Sequence, residues 1–560
     1  MTRDPPTERS KADLVLRDAR FYTLDPALPW ADCIAIGQGR ILAVGSSSDI
    51  EPFVDRSTEF KELGGRMVLP GIIDAHCHVF EGARSRLFEI EISPIASLSE
   101  LLGIVEAAAS KPGRRWITGG TWGPALAELF ATESALRALD EVSADRPVVL
   151  RDVSFHSRFA NSVALAAAGI RKDTRDPPNG VIVRDPESGV PTGLLHEAAA
   201  FNMDEAAAPW SEHENLDAAR SSIALYNGLG VTGFQLAVAS RATMSIYKMV
   251  DDAGGLSARI GMTIAMEAGL AQARDGIGPE AIATRKQFAS PHIDVDFAKF
   301  FMDGVPSMRT AAFVEPYLIP SAGQARFRGQ SFYSVADLAD RITSLDREGI
   351  SVKIHAIGDQ AIRDTLDAIA IVRANNGTGG PQHQIAHLNF IAPSDLPRLR
   401  ELNVLADLCP PMWFPSAHMQ SMSRLLGPER VERSWPIRSL LELGTDAAAG
   451  TDWPAIAPTP SPWPGLSAMV TRRNPYSHSS ETHSSHEALD LATAIELYTS
   501  RPARALRIDD RAGSLSPGKS ADMIVLDRNL FEIAPEAIAE TKVLATLFEG
   551  RCVHGTLELS

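Results

Sequence analysis

Two closely spaced histidines stand in the segment LPGIIDAHCHV, which covers residues 69–79. If this segment is a β-strand, His76 and His78 project from the same face, because successive side chains alternate between faces. Their imidazoles then lie about 6.6 Å apart along the strand and can bind one metal ion at an accessible strand end. A lone His-x-His pair more often marks two partly exposed strand histidines. The rest of the sequence therefore has to decide between the two interpretations.

Four further ionisable residues stand at the ends of predicted strands downstream: Lys299, His355, His387 and Asp452. Short, apolar β runs alternate with helical segments in this region, which is typical of parallel β/α units. His355 and His387 are 32 positions apart and His387 and Asp452 are 65 apart, which fits one and two barrel units of about 30 residues. Strand ends are predicted in MVLPGIIDAHCH, GVTGFQLA, VDFAKFFMDG, ISVKIHAIGD, HQIAHLNF, NVLADLCP and AAAGTDWP.

The predicted fold class is α/β, with a TIM-type (β/α)8 barrel over residues 69–505 and a small β-sandwich domain formed by both chain ends. The 221 residues between the second histidine and Lys299 exceed what the intervening units need, so we expect an insertion at about 85–200. Residues 1–68 and 506–560 carry short alternating strands such as ADLVLRD and ADMIVLD. These two ends are predicted to form the small domain together.

The composition is that of an ordinary globular protein, with 44% hydrophobic and 22% charged residues. The 54 basic and 70 acidic residues give a net charge of −16, which argues against nucleic acid or an anionic membrane as a partner. No signal peptide is recognisable, and no apolar run approaches the roughly 18 residues that span a bilayer. Four scattered cysteines fit a reducing compartment. We therefore expect a cytoplasmic protein with a small-molecule substrate, either monomeric or a homodimer.

Six ionisable groups at the C-terminal ends of barrel strands would be costly unless they are paired or bind metal, because barrel interiors are filled by Val, Ile and Leu. Active sites of this fold are built at that end of the barrel. Four neutral imidazoles and a carboxylate suit zinc, iron, nickel or manganese better than calcium. The pattern predicts a divalent metal centre of one or two ions, most simply zinc.

The motifs PGIIDAHCH, AKFFMDGVPSMRTA, VKIHAIGDQA, IAHLNF, GTDWP and GSLSPGKSADMIVLD resemble, in their order and register, the amidohydrolase superfamily, in the branch called amidohydrolase family 3. The resemblance runs from about residue 13 to 553. It implies that the first two histidines bind the more buried ion and the later two a second ion, with Lys299, carboxylated on its amine, bridging both. The implied metal-binding residues, of which Asp452 is also catalytic, are His76, His78, Lys299, His355, His387 and Asp452.

The resemblance implies a hydrolase that cleaves a C–N bond of a small molecule other than a peptide bond, most simply an amide. A metal-bound water would become hydroxide near neutral pH and attack a carbonyl that the metal polarises. Asp452 would take the proton and return it to the leaving nitrogen. Alternatives are a deaminase with one metal on His76, His78, His355 and Asp452, a lactone or other ester hydrolase on the same site, and a non-catalytic metal-binding regulatory protein.

Some of these residues have competing roles. Lys353 lies on the same strand face two residues before His355 and competes with Lys299 for the bridging position. Lys299 could also form a salt bridge with Asp303. Asp74 shares the face of the first two histidines, and we expect it to hydrogen-bond a ligand histidine or a neighbouring loop.

One residue departs from the pattern of amidohydrolase family 3. Many members carry Glu immediately before the histidine of the sixth strand, where this chain has Ala386, so a role of that Glu around the metals is in doubt. Further histidines are interpreted as loop or surface groups: His383, His418, His483 and His486. Four residues are candidates for substrate binding: Trp122, His156, Arg309 and Trp413. The aromatic ones would favour an apolar leaving group, and Arg309 a substrate carboxylate.

Overall fold

The structure is a computed structural model and describes residues 11–113, 115–207, 209–267, 276–319 and 326–558. Three β-sheets organise this part of the chain. The strands in chain order are β1 Leu14–Tyr22, β2 Trp30–Gly37, β3 Arg40–Gly45, β4 Glu59–Pro70, β5 Ile72–Cys77, β6 Ile90–Glu91, β7 Ile117–Trp122, β8 Val148–Asp152, β9 Ser157–Ala160, β10 Gly180–Arg184, β11 Pro191–Glu197, β12 Val231–Ala239, β13 Arg259–Ala265, β14 Ile293–Phe301, β15 Ser351–Ala356, β16 His383–His387, β17 Val404–Leu408, β18 Ala447–Ala449, β19 Met523–Leu526, β20 Val543–Phe548 and β21 Arg551–Gly555.

The central sheet is a nearly closed barrel of eight parallel strands, in the order β5, β12, β13, β14, β15, β16, β17, β18. These strands read as continuous apolar runs because helices cover their outer faces; all nine residues of β12 are buried. The ends of the sheet meet where Asp452 N–H donates to the His76 carbonyl at 2.7 Å. Gly450 permits this approach, since a Cβ there would stand 2.3 Å from the His76 nitrogen. The predicted barrel is thus confirmed.

One barrel strand was missing from the sequence prediction. Strand β13, with the sequence RIGMTIA, is fully buried and pairs in parallel with β12 and β14. No residue within it is a histidine, a lysine or an acidic residue, and the sequence prediction placed no strand there. It is the third strand of the barrel.

The two chain ends meet in a seven-stranded sheet of order β21, β20, β19, β4, β1, β2, β3. Only β1 and β4 pair in parallel among the described pairs of this sheet. Phe21 and Ile34 from the N-terminal part share one buried core with Met523 and Leu547 from the C-terminal part. This confirms that both ends build one β unit, although β4 leads directly into β5, so the exact domain limits stay a prediction.

Residues 90–197, between the first two barrel strands, contain the third sheet. Its order is β10, β11, β9, β8, β7, β6. The ring of Phe130 stacks on that of Phe159 with centroids 3.8 Å apart, inside the large buried core that this sheet shares with the barrel. The turn before β9, an interior strand of this sheet, brings His156 to the cavity at the C-terminal end of the barrel, as described below.

The helices in chain order are α1 Ser47–Ile50, α2 Val79–Phe88, α3 Leu98–Ala109, α4 Ala127–Phe130, α5 Glu133–Val142, α6 Ser162–Ala167, α7 Ala198–Ala206, α8 Glu212–Gly228, α9 Arg241–Asp252, α10 Gly278–Thr284, α11 Val335–Arg347, α12 Asp359–Asn376, α13 Leu396–Glu401, α14 Ala417–Leu426, α15 Pro428–Glu432, α16 Ile437–Glu442, α17 Pro462–Thr471, α18 Leu491–Leu497 and α19 Ser500–Ala505. Several begin at a side-chain cap, as α8 does at Ser211, which exchanges hydrogen bonds with Glu214. Among the described residues, no helix combines the length and apolar character needed to cross a bilayer.

Candidate metal centre

The first and last barrel strands together bring three ligand side chains to one point. His76 lies near the end of β5, His78 directly follows that strand, and Asp452 follows β18; all three are buried. The Oδ1 atom of Asp452 lies 3.4 Å from His76 Nε2 and 3.5 Å from His78 Nε2. Closure of the barrel therefore places residues from opposite ends of its sequence in contact.

This cluster has the spacing that one metal ion requires. Nitrogen and oxygen ligands that bind a tetrahedral zinc ion at about 2.0–2.1 Å stand about 3.4 Å from one another. Within the described residues, His76 Nε2 is buried and has no hydrogen-bond partner. A buried polar atom without a partner is costly, and a bound cation would remove that cost. Two imidazoles and a carboxylate are a donor set that fits zinc.

A buried carboxylate that the sequence analysis missed fixes the orientation of His76. Asp407, near the end of β17, accepts a hydrogen bond from His76 Nδ1 at 2.6 Å and contacts Lys353 Nζ at 2.5 Å. Because Nδ1 is held by a carboxylate, Nε2 is left to face the metal site. The available signal was a carboxylate near the end of a predicted barrel strand, the same feature that singled out the other site residues.

The four histidines of the site are held in their neutral form. Burial is the main cause, since it penalises the charged imidazolium. It lowers the pKa of His78 to about 3 and those of His76, His355 and His387 well below the ordinary value. Nearby basic groups, Lys299 among them, act in the same direction. Neutral imidazole is the form that binds metal ions.

Asp452 is held in an unusual backbone conformation with a protonatable carboxyl group. Its φ of 57° lies in the left-handed region, which costs a non-glycine residue about 1–3 kcal/mol. Asp74 secures the preceding residue by accepting hydrogen bonds from Thr451 N at 2.9 Å and Oγ1 at 2.7 Å, which agrees with its expected contact to a neighbouring loop. Burial raises the pKa of Asp452 to about 8, against the opposing effect of Lys299.

The two lysines that compete for the bridging position have different surroundings. Lys299 and Lys353 are direct neighbours in the register of β14 and β15. The Lys353 amine is committed to Asp407 and to the Ala75 carbonyl at 2.8 Å. Lys299 instead lines the cavity above the site. Burial, followed by the charge of Lys353, lowers the pKa of Lys299 to about 8, which favours the neutral amine that carboxylation requires.

The later two histidines lie beside the first cluster. The rings of His355 and His387 have centroids 4.5 Å apart. His387 Nδ1 lies 4.0 Å from Asp452 Oδ2 and 3.6 Å from Cys409 Sγ. His355 Nε2 lies 3.3 Å from the Gly304 carbonyl oxygen. All six predicted ligands therefore line or adjoin one cavity at the C-terminal end of the barrel.

His156 reaches this cavity from the inserted sheet. Its ring lies 5.1 Å from that of His355, centroid to centroid, and its Nδ1 contacts Glu197 Oε2 at 2.8 Å. Thr310 donates a hydrogen bond to the other oxygen of Glu197 at 2.6 Å. Burial tends to lower the pKa of His156, but the Glu197 charge outweighs it and raises that pKa. His156 thus lines the cavity beside His355.

The other three predicted substrate contacts are not among the residues that line the described cavity. Trp122 is fully buried in the insertion core, where its indole N–H donates to the Leu150 carbonyl at 3.0 Å. Trp413 is fully buried under the Arg472 guanidinium, 5.2 Å from its ring. Arg309 belongs to the loop after β14, with a φ of 60°. The residue type alone did not distinguish side chains that line the pocket from side chains that pack in the core.

The cavity above the ligands is lined by residues that the sequence analysis had not assigned to it. The newly found wall residues include Ser154, Phe301, Asn389, Met412, His418 and Ile456. His418 was interpreted as a loop or surface group, but it lies on α14 and faces this space. Burial lowers its pKa to about 4. Together these residues form a mixed apolar and polar wall above the metal ligands.

Two further histidines that were interpreted as loop or surface groups are buried. His383 is fully buried, accepts a hydrogen bond from Val352 N at 3.1 Å and contacts Asp346 at 3.1 Å. His483 is buried beside Ser434, at 3.0 Å. Both occupy structural positions away from the cavity, and the polar partners that permit their burial lie far from them in the sequence.

The parallel barrel thus carries buried histidine and aspartate side chains at the C-terminal ends of its strands, an arrangement that can bind a metal ion. The sequence profile of the amidohydrolase family matches residues 60–554, and the chain belongs to that family. This confirms the resemblance that the motifs showed.

Similar proteins cover nearly the whole chain. Protein LONG AFTER FAR-RED 3 of Arabidopsis thaliana is 29% identical over 97% of this chain and 92% of its own length. N-substituted formamide deformylase of Arthrobacter pascens is 26% identical over 96% of this chain and 97% of its own. An uncharacterized metal-dependent hydrolase of Pyrococcus horikoshii OT3 superposes with a TM-score of 0.73 at 23% identity, covering 93% of this chain and 99% of that one. The last comparison independently shows the fold.

Proposed function

We propose that the protein is a metal-dependent amidohydrolase that cleaves a non-peptide amide bond of a small molecule. The observation that carries the proposal is the cluster of His76, His78 and Asp452 at the floor of a cavity. The Asp452 Oδ1 atom lies 3.4 Å and 3.5 Å from the two histidine Nε2 atoms, which are the separations expected around one zinc ion. The full-length similarity to a formamide deformylase, an enzyme named for cleavage of formamides, supports a C–N bond as the target.

A divalent ion, most simply zinc, would supply polarisation of the substrate carbonyl and activation of a water molecule. The chain itself supplies orientation and proton transfer. Asp407 holds the His76 ring in one orientation, and Asp452 is the carboxyl group that accepts a proton and returns it to the leaving nitrogen.

The cavity wall indicates where a substrate would lie. His156, oriented by Glu197, can hydrogen-bond a polar group of the substrate next to the ligand histidines. Phe301 and Met412 offer apolar contact to the remainder of the molecule. We propose a small amide with an apolar substituent on nitrogen or carbon.

The test is product analysis with a panel of small amides, esters and amines, using zinc-loaded protein. The proposal predicts release of an amine and an acid. The paired variant His76→Ala with His78→Ala should lose turnover and bound metal together. His486→Ala is the matched control, because that side chain is 72% exposed and outside the site.

Other products would point to the alternatives. Ammonia as the only nitrogen product would indicate a deaminase, and turnover of lactones alone an ester hydrolase. A protein that turns over no compound of the panel but melts at a higher temperature with one of them would be a binding protein. Each of these results would overturn the amide assignment.

A further inference from the structure

A cysteine that neither the motif comparison nor the predicted ligand set includes lies inside the metal centre. Cys409 follows β17 and is 2% exposed. Its Sγ atom lies 3.6 Å from His387 Nδ1. A ligand atom from each of Cys409, His387 and Asp452 lies within 4.8 Å of the other two. Three different types of metal-ligating group thus converge at a second point of the centre.

The separations fit a metal ion. Sulfur at about 2.3 Å and nitrogen at about 2.0–2.1 Å from a tetrahedral zinc ion stand about 3.6 Å apart, which is the observed Sγ to Nδ1 distance. The two oxygens of Asp452 serve different sides: Oδ1 faces His76 and His78, while Oδ2 lies 4.0 Å from His387 Nδ1. One carboxylate can therefore contribute to both points.

His355 is less well placed than Cys409 for this second point. Its Nε2 lies 3.3 Å from the Gly304 carbonyl oxygen and 3.8 Å from Asp303 Oδ1, so that atom is directed towards the loop after β14. The strand-seven thiol, by contrast, lies directly against His387.

We propose that Cys409, His387 and Asp452 form a second metal subsite with a thiolate ligand, which shares the Asp452 carboxylate with the subsite of His76 and His78. The inference rests on the proposed function only in requiring that the centre binds metal. It predicts a preference for zinc, iron or cobalt over magnesium and manganese at this subsite, because thiolate is a soft ligand.

Cobalt(II) gives a readout that does not depend on activity. The chelator-treated protein is titrated with cobalt(II), and its spectrum is recorded from the near-ultraviolet to the visible. A thiolate ligand produces a sulfur-to-cobalt charge-transfer band in the near-ultraviolet, whereas histidine and carboxylate ligands produce only the weaker visible bands. We expect both features in the wild type and loss of the charge-transfer band alone in Cys409→Ser.

Cys77 provides the matched control. It is equally buried and lies between the two ligand histidines, but its thiol faces the Gln235 carbonyl at 3.5 Å, on the other side of β5. The charge-transfer band should persist in Cys77→Ser, and also in Cys552→Ser, which removes an exposed thiol. Zinc X-ray absorption of the wild type should show a sulfur scatterer at about 2.3 Å.

The outcomes separate this inference from the proposed function. Visible cobalt bands without charge transfer or sulfur scattering in the wild type would overturn the Cys409 ligand and leave the His76, His78 and Asp452 subsite intact. A band that survives Cys409→Ser would also overturn it. Absence of any cobalt spectrum would refute the metal centre as a whole, and with it the proposed function. These wild-type measurements decide the matter even if the serine variant folds poorly.

Discussion

Replacing Asp407 by Asn removes the charge that holds together the floor of the metal centre. The carboxylate contacts His76 Nδ1 at 2.6 Å and Lys353 Nζ at 2.5 Å, and its side chain and that of Lys353 are fully buried. Removing one partner of a buried ion pair typically costs about 3–5 kcal/mol, because the other charge stays buried without compensation. Loss of the group that orients a ligand histidine typically lowers metal affinity about 10–100-fold. We expect both effects in Asp407→Asn.

The two effects can be separated with Lys353→Met. In the double variant no unpaired lysine charge remains, so we expect recovery of part of the stability, with a coupling energy of about 1–3 kcal/mol between the two positions. Metal affinity should stay low, because His76 still lacks its carboxylate. Urea unfolding of the metal-free proteins measures the first quantity, and competition with a chromophoric chelator the second. Strictly additive stability changes, or wild-type metal affinity in Asp407→Asn, would refute the reasoning.

Three further perturbations have directions fixed by the structure. Burial, only partly offset by Arg84, raises the pKa of Glu81 from 4.5 to about 7. The cost in stability of burying the ionised carboxylate is therefore absent below pH 4.5 and complete above pH 7. Glu81→Gln should therefore raise the free energy of unfolding at pH 8 by up to about 3 kcal/mol, seen as a higher melting temperature, and should give no gain at pH 4. Phe130→Ala should destabilise the insertion by about 3–5 kcal/mol, seen as faster limited proteolysis with unchanged metal content. Chelation should lower the melting temperature, since a ligand at 1,000 times its Kd stabilises by about 4 kcal/mol, and zinc should restore it.

Each of these has a contradicting outcome. An equal change in the melting temperature of Glu81→Gln at both pH values would show that its ionisation has no part in stability. Loss of metal from Phe130→Ala would show that the insertion core and the barrel site are coupled. A chelator effect of the same size in the paired His76 and His78 variant would place the metal elsewhere.

The barrel was predictable wherever a strand ended in a chemically distinctive residue. The strands that lead to Lys299, His355, His387 and Asp452 were found in this way, and their spacing gave the number of barrel units. Strand β13 contains no histidine, lysine or acidic residue and was missed. Parallel strands are buried on both faces, so they lack the alternation that identifies exposed strands.

Side-chain surroundings were less predictable than strand positions. Trp122 and Trp413 are large aromatic residues whose partners come from distant segments, and only packing shows that both are core residues. Asp407 lies on a strand that had been predicted and Cys409 directly follows it, but their significance depends on the neighbouring strand ends. His383 is buried because Asp346, 37 residues away, provides a partner. Such pairings depend on the three-dimensional fold and not on local sequence.

The most direct test of the metal centre is the metal content of the purified chain by plasma mass spectrometry, compared with the paired variant His76→Ala with His78→Ala and the control His486→Ala. We predict one to two equivalents of a divalent transition metal in the wild type and the control, and loss of at least one equivalent in the paired variant. Folded wild-type protein that retains no metal after growth in zinc-supplemented medium would contradict the account.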